Sequence, residues 1–186
     1  MRMKSLSRPE QWILLGIPLL FILGSIMHFM YNLLGESVII GLFAPVNESI
    51  WEHSKLVVWP MILWWTLYYC FRKKKHPIDK NKWFTGALVA LITAFMTMPL
   101  AYYFYTGAFG AELLWVDILI LLIAVLFGQW LGLHTYRYTK GLNAKYILLI
   151  FAGIVLLFML LTFFPPRIPL FQDGVTGSYG IAPHTS

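Results

Sequence analysis

The chain has 186 residues, of which 59% are hydrophobic and only 12% charged, with 14 Lys and Arg against 8 Asp and Glu. This composition belongs to a protein solvated mostly by lipid; it excludes an ordinary soluble enzyme, and the length leaves room for a single integral membrane domain over residues 1–186. Cys70 is the single cysteine, so an intrachain disulfide and a thiolate metal cluster are both excluded.

The first apolar run, 12–34, follows a basic segment as a signal peptide would. It exceeds the roughly 7 to 15 residues of a signal-peptide core and no small-residue cleavage pattern follows, so it is expected to be a retained span. Within it Ser25, His28 and Asn32 share one helical face. Polar side chains inside a bilayer face the bundle interior, where they bond across helices or line a site. Both roles remain open for His28.

The second run, 51–71, opens with the densest polar segment of the chain, residues 45–55. Ser49 and Glu52 have capping-box spacing, Asn47 is an alternative N-cap, and Glu52 with Lys55 forms an i, i+3 pair. Capping leaves one feature over. Glu48 and Glu52 are like charges four residues apart, which costs a helix about 0.2 to 0.5 kcal/mol unless a cation or a raised pKa relieves it. A Ser49 and His53 nucleophile and base pair has suitable spacing but lacks an orienting carboxylate.

The third run, 83–105, carries Thr93, Thr97, Tyr102, Tyr103 and Tyr105, with Pro99 expected either to kink the helix and widen an outer cavity or to be absorbed by its neighbours. The fourth, 113–136, places Asp117 about 6 Å inside its outer end, where it can accept a hydrogen bond from Tyr102 or Tyr103. Gln129 and His134 lie near the opposite boundary and suit packing roles. The fifth run is 146–164. After it, the Pro- and Gly-rich tail 165–186 cannot form a long helix, and Asp173-Gly174 reads as a turn. Leu170, Phe171, Tyr179 and Ile181 would be exposed on a free tail, so it is expected to fold across the outer mouth, bringing Asp173 or Tyr179 to the site.

The fold class is therefore all-α: a polytopic transmembrane bundle of five spans. All the Lys and Arg except Lys55 and Arg167 fall before the first run or between runs two and three or four and five. The positive-inside rule then puts the N-terminus in the cytoplasm and the C-terminus outside. Trp12, Trp83 and Trp130 near the inner boundary, and Trp51 and Trp115 near the outer one, form matching aromatic belts. The positive charge follows from topology and anionic lipid, and no nucleic-acid partner is expected. With this orientation Glu36, Glu48, Glu52, Glu112, Asp117 and Asp173 are external or near the outer boundary, while Glu10 and Asp79 are internal.

His28, His53, Asp117 and one of Glu48 or Glu52 would make an N2O2 ligand set suited to zinc or another divalent metal. Catalytic zinc leaves a position for water, so three of these would suffice and the other glutamate could act as general base. Glu48, Glu52, His53 and Asp117 are thus the candidate catalytic residues, with Asn32, Asn47, Ser49, Tyr102, Asp173 and Tyr179 as cavity or lid.

The segment 41–53, together with 169–171 and 176–181, resembles a family of small bacterial multi-span membrane proteins of unknown function, over nearly the whole chain. That resemblance implies a bacterial plasma membrane and a multi-pass bundle. A fainter analogy runs to the ceramidase-like membrane hydrolases, which combine serine, aspartate and histidines at a zinc site but have more spans and another histidine spacing. The function expected is that of an outward-facing acidic and histidine site, with metal-dependent hydrolysis of a lipid or membrane-embedded substrate as its activity. Two alternatives stand beside it: cation or small-ligand binding without chemistry, as in a transport accessory, and a structural subunit of a membrane complex. No inverted repeat points to a transporter.

Overall fold

The computed structural model describes residues 6–72 and 78–181. Arg2, Lys4, Lys73, Lys74 and Lys75, all assigned a side of the membrane from the sequence, lie outside the described residues, as do His76 and His184. Among the described residues seven α-helices follow in order: α1 (Arg8–Leu33), α2 (Val38–Gly41), α3 (Ile50–His53), α4 (Lys55–Arg72), α5 (Lys80–Phe109), α6 (Leu114–Tyr138) and α7 (Ala144–Phe163). A 3-10 turn at Pro169–Phe171 and an isolated antiparallel bridge between Gln172 and Tyr179 complete the regular structure. Among the described residues there is no β-strand.

Helices α1, α5, α6 and α7 are long and apolar enough to cross a membrane. Their outward faces fit that medium: Leu15, Leu19, Ile22, Ile26 and Phe29 form an exposed stripe along α1, and α7 exposes Leu149, Leu156 and Leu160. The run 51–71 takes a different form. It breaks at Ser54 into the single turn α3 and the 18-residue α4, whose Trp, Tyr and Lys content makes it less apolar than the other long helices. The side chains responsible are used inside the bundle.

Helices α1, α6, α5 and α4 pack as a ring in that order, and α7 lies outside it against α5. The closest approach, between α5 and α6, is written in small residues. Gly86, Ala90 and Ala94 on α5 face Ala124, Gly128 and Gly132 on α6, both at four-residue spacing. A Cβ on Gly128 would come within 2.6 Å of the Ala90 carbonyl oxygen, and one on Gly132 within 2.9 Å of the Gly86 carbonyl oxygen. Lipid gives apolar helices no hydrophobic reason to associate, so close backbone contact of this kind supplies the attraction.

Indole N–H groups supply the rest. Trp12 and Trp64 each donate to the other's backbone carbonyl, at 3.3 and 3.2 Å, with rings stacked 4.1 Å apart, which ties α1 to α4. Trp65 donates to the fully buried Gln129 side chain at 3.0 Å, joining α4 to α6, and Trp83 donates to the Trp65 carbonyl at 2.9 Å, joining α5 to α4. Gln129 thus holds the packing role its position suggests.

The end of the bundle carrying the starts of α1, α5 and α7 is capped by short polar contacts. Asp79 accepts from the Asn81 and Lys82 amides, Asn143 accepts from the Lys145 amide, and Glu10 accepts from Arg137. Asn81 and Thr85 of α5 also accept from the Ala144 and Leu142 amides, fastening the turn between α6 and α7.

Replacement of Gly128 or Gly132 by Leu is expected to destabilise the bundle by about 1–3 kcal/mol or more, because the facing backbone cannot yield. A Cβ added at Gly153 on α7 would meet nothing within 4 Å. Gly153→Leu should therefore leave the thermal unfolding midpoint in detergent near wild type, while Gly128→Leu and Gly132→Leu lower it.

Candidate metal centre

The segment between α2 and α3 is folded back into the protein by a buried ion pair. Lys55, fully buried, places Nζ 2.5 Å from Glu52 Oε2 and 2.6 Å from the Gly41 carbonyl, with the Ala44 carbonyl at 3.4 Å. Glu52 Oε2 also accepts from the Val46 amide at 3.0 Å, and Thr162 of α7 approaches Oε1 at 3.5 Å. Both charges are therefore surrounded by partners, the condition under which a buried pair is tolerated. Ser49 Oγ accepts from the Glu52 amide, which is half of the capping box. The reciprocal half is absent: the Ser49 amide goes to Asn47 Oδ1 at 3.0 Å, because Glu52 is occupied by Lys55 and Val46.

These contacts set Glu48 at the tip of the fold-back, between histidines from two helices. His28 Nε2 of α1 lies 3.1 Å from His53 Nε2 of α3, and Glu48 Oε2 lies 3.6 Å from the first and 3.3 Å from the second. A circle through three atoms so spaced has a radius of about 1.9 Å, so a point ~2.05 Å from each, the usual zinc to nitrogen or oxygen distance, sits about 0.7 Å off their plane. A tetrahedral ion keeps that height above three of its ligands.

The protonation pattern fits the same chemistry. His53 Nδ1 is 2.9 Å from the Ser49 carbonyl oxygen, which can only accept, so Nδ1 carries a proton and Nε2 is the nitrogen that a metal would take up when the ring is neutral. A backbone carbonyl holding the distal N–H is the usual support of a metal-binding histidine. The Nδ1 of His28 is buried without a partner among the described residues. Hydrogen bonding to His28 and then His53 holds the Glu48 carboxyl well below the usual carboxylate range, outweighing burial, which acts in the opposite direction.

The other expected site residues separate into groups. Glu52 is 2% exposed and turned to Lys55, so the structure does not bring it to the histidines. Asp117 is within electrostatic reach of His53, but its carboxylate accepts from the Tyr105 hydroxyl at 2.8 Å, a partner other than the Tyr102 or Tyr103 expected. Ser49 meets His53 through its carbonyl, not its hydroxyl, so the two are not arranged as nucleophile and base. Asn32 is exposed near the end of α1, and Ser25 bonds back to the Phe21 carbonyl at 2.9 Å.

The tail over residues 165–181 is folded onto this end of the bundle. Phe171 is buried and stacks on Trp51 at 4.7 Å, Trp51 in turn stacks on Phe158 of α7 at 4.4 Å, and Asn47 Nδ2 donates to the Gly180 carbonyl. Asp173 closes the turn by accepting from the Val175 and Thr176 amides, and Tyr179 bridges back to Gln172. Between tail and helices lies a cleft of about 300 Å³ whose walls include Glu48, Tyr102, Tyr103, Glu112, Gln172 and Asp173. Glu48, 49% exposed, belongs to both cleft and triad. Glu112, which accepts from the Tyr102 hydroxyl, is the acidic cleft residue that the sequence did not mark as a site candidate; ten residues separate it from Tyr102 across the α5 to α6 turn, too irregular a connection for helical spacing to reveal.

An all-helical protein with membrane-length apolar helices and a two-histidine, one-glutamate cluster beside a cleft is the class that fold and site define. The profile described as "Family of unknown function (DUF6512)" matches residues 1–181, and the chain belongs to that family. No curated protein and no solved structure matches the chain, so the analogy to ceramidase-like hydrolases draws no support from them.

Lys55→Met strands a buried carboxylate and is expected to cost about 3–5 kcal/mol. Lys55→Met combined with Glu52→Gln should recover part of that loss. Thermal unfolding of the three proteins in the same detergent checks it, and equal stability of the single variant and wild type would refute the anchoring role.

Proposed function

We propose that His28, Glu48 and His53 hold a divalent metal such as zinc, and that the protein is a metal-dependent hydrolase whose substrate is a lipid or another molecule embedded at the membrane surface. The observation that carries this reading is the triangle of 3.1, 3.3 and 3.6 Å between two imidazole nitrogens and a carboxylate oxygen, which matches three corners of a tetrahedral site. Two histidines and one glutamate with a fourth position left over is the donor set of catalytic zinc, whereas structural zinc is closed by four protein ligands. A metal held there would act as a Lewis acid and make water a competent nucleophile toward an ester or amide near neutral pH.

The chain's own residues fill the remaining roles. Glu48 belongs to both the triad and the cleft, so a substrate in the cleft would lie beside the triad. Glu112, bonded to Tyr102 in the wall of the same cleft, is the carboxylate available there as a base. Asp117 lies within electrostatic reach of His53 and holds Tyr105, whose hydroxyl also accepts from the Leu113 amide at the start of α6.

In the same proposal the chain crosses a bacterial plasma membrane five times, α4 being the least apolar span, with the N-terminus inside and the metal centre outside. The distribution of Lys and Arg supports this orientation. A second reading, cation binding without chemistry, is favoured by one observation: the cleft walls contain Glu48, Glu112 and Asp173 but no Lys or Arg among the described residues.

Metal analysis of protein purified without chelator or metal-affinity tag should find about one zinc-group ion per chain. His28→Ala, His53→Ala and Glu48→Gln should lose it, while Asp117→Asn, outside the triad, keeps it. Folded wild type that takes up no metal even from added zinc would overturn the reading. Bound zinc without turnover of simple ester, amide or phospholipid probes would favour cation binding.

A further inference from the structure

At the opposite, cationic end of the bundle is a second cleft, of about 400 Å³, lined by Arg8, Gln11, Trp12, Leu15, Tyr68 and Arg72. It lies where the start of α1 meets the end of α4. Three features set it apart from an ordinary basic surface. Neither guanidinium has a carboxylate partner among the described residues, since the nearby Glu10 is bonded to Arg137 and to the Ser7 amide. Both arginines are close enough for their charges to act on the Tyr68 hydroxyl. That hydroxyl belongs to a side chain only 3% exposed and has no hydrogen-bond partner among the described residues, a condition that is rare in a folded protein and calls for a ligand or water.

We propose that this cleft binds the phosphate of an anionic phospholipid, held by Arg8 and Arg72, with the Tyr68 hydroxyl donating to the same group. Guanidinium and phosphate match in charge and in hydrogen-bond geometry, which favours arginine over a diffuse lysine surface for a defined headgroup. Trp12 is pinned against Trp64 by its indole bond and packs 5.2 Å from the Tyr68 ring, so packing holds that ring in the floor of the cleft. Leu15 begins the exposed apolar stripe that continues through Leu19, Ile22 and Ile26, a path along which an acyl chain of the same lipid can lie. A free phosphate satisfies the arginines but makes no use of that stripe. The lipid joins α1 to α4 at the end where Trp12 packs on Trp64 and Tyr68. This site is independent of the metal centre and stands whether or not a metal is bound there.

The test is native mass spectrometry of the full-length protein released from nanodiscs of mixed phosphatidylglycerol and phosphatidylcholine. Wild type is expected to keep about one phosphatidylglycerol under activation that strips phosphatidylcholine, and loss of each charge-assisted arginine contact should weaken retention by about tenfold or more. Arg8→Gln with Arg72→Gln removes both contacts, and Tyr68→Phe keeps the ring packing while removing the hydroxyl. Selective retention that falls in the arginine double variant and in Tyr68→Phe supports the proposal. Unchanged retention in Tyr68→Phe together with a folded arginine double variant overturns it; should the double variant not fold, unchanged retention in Tyr68→Phe alone overturns it. Displacement of the lipid by millimolar inorganic phosphate overturns the assignment to a lipid.

Discussion

The buried pair between Lys55 and Glu52 is the constraint on which the candidate metal centre depends. A lysine inside the protein is costly unless its ammonium group is paired and hydrogen-bonded. Here the partners are Glu52 and the Gly41 and Ala44 carbonyls, so satisfying the charge requires the chain after α2 to fold back over the start of α4. Glu52 extends the constraint to the Val46 amide. With residues 41–46 fastened from below and Asn47 tied to Gly180 of the tail, Glu48 has little freedom except to stand between His28 and His53. A residue that resembles a surface ion-pair member thus acts as the internal anchor of a loop.

The same logic explains why α4 is the least apolar of the long helices. A lipid-facing helix gains nothing from indole and hydroxyl groups, whereas a helix inside a ring can use them as cross-links. Trp64, Trp65 and the Trp83 contact to the Trp65 carbonyl tie α4 to α1, α6 and α5, while α1 and α7 turn leucine and isoleucine outward. Small residues do the complementary work between α5 and α6, where Gly86, Gly128 and Gly132 permit backbones to touch. The bundle is therefore held by close contact and by a few directed hydrogen bonds, as expected where hydrophobic burial between helices contributes little.

The two clefts divide the molecule chemically. One end gathers Glu48, Glu112, Asp117 and two histidines under a folded tail, and the other gathers two arginines without carboxylate partners among the described residues over a buried tyrosine. Each is completed by groups distant in sequence. His28 reaches His53 across 25 positions, and Tyr68 reaches the Arg8 cleft across the whole of the first helix and the fold-back.

Much of this is legible in the chain itself. Apolar runs of membrane length mark the helices, and the cluster of polar residues at 45–55 marks the segment that carries Glu48 and His53. His28 and His53 also stand together in the wider ligand set drawn from the sequence, because ligand-type side chains are rare in apolar surroundings and their depth along each helix can be counted at 1.5 Å per residue. Sequence alone could not decide which glutamate faces the histidines. Glu48 and Glu52 are equivalent by spacing and chemistry, and the choice turns on Lys55, whose burial depends on where α2 and α7 end up. Nor could it separate Tyr105 from Tyr102 as the partner of Asp117, since that follows from the rotation of α5 against α6, fixed by glycine contacts whose pairing across the interface the sequence does not record. Residue types and periodicity thus determined the medium and the helices, both of which are local or additive properties. Tertiary structure decided which polar groups meet, because that depends on helix rotation and loop path, where a shift of one residue moves a side chain by about 100°.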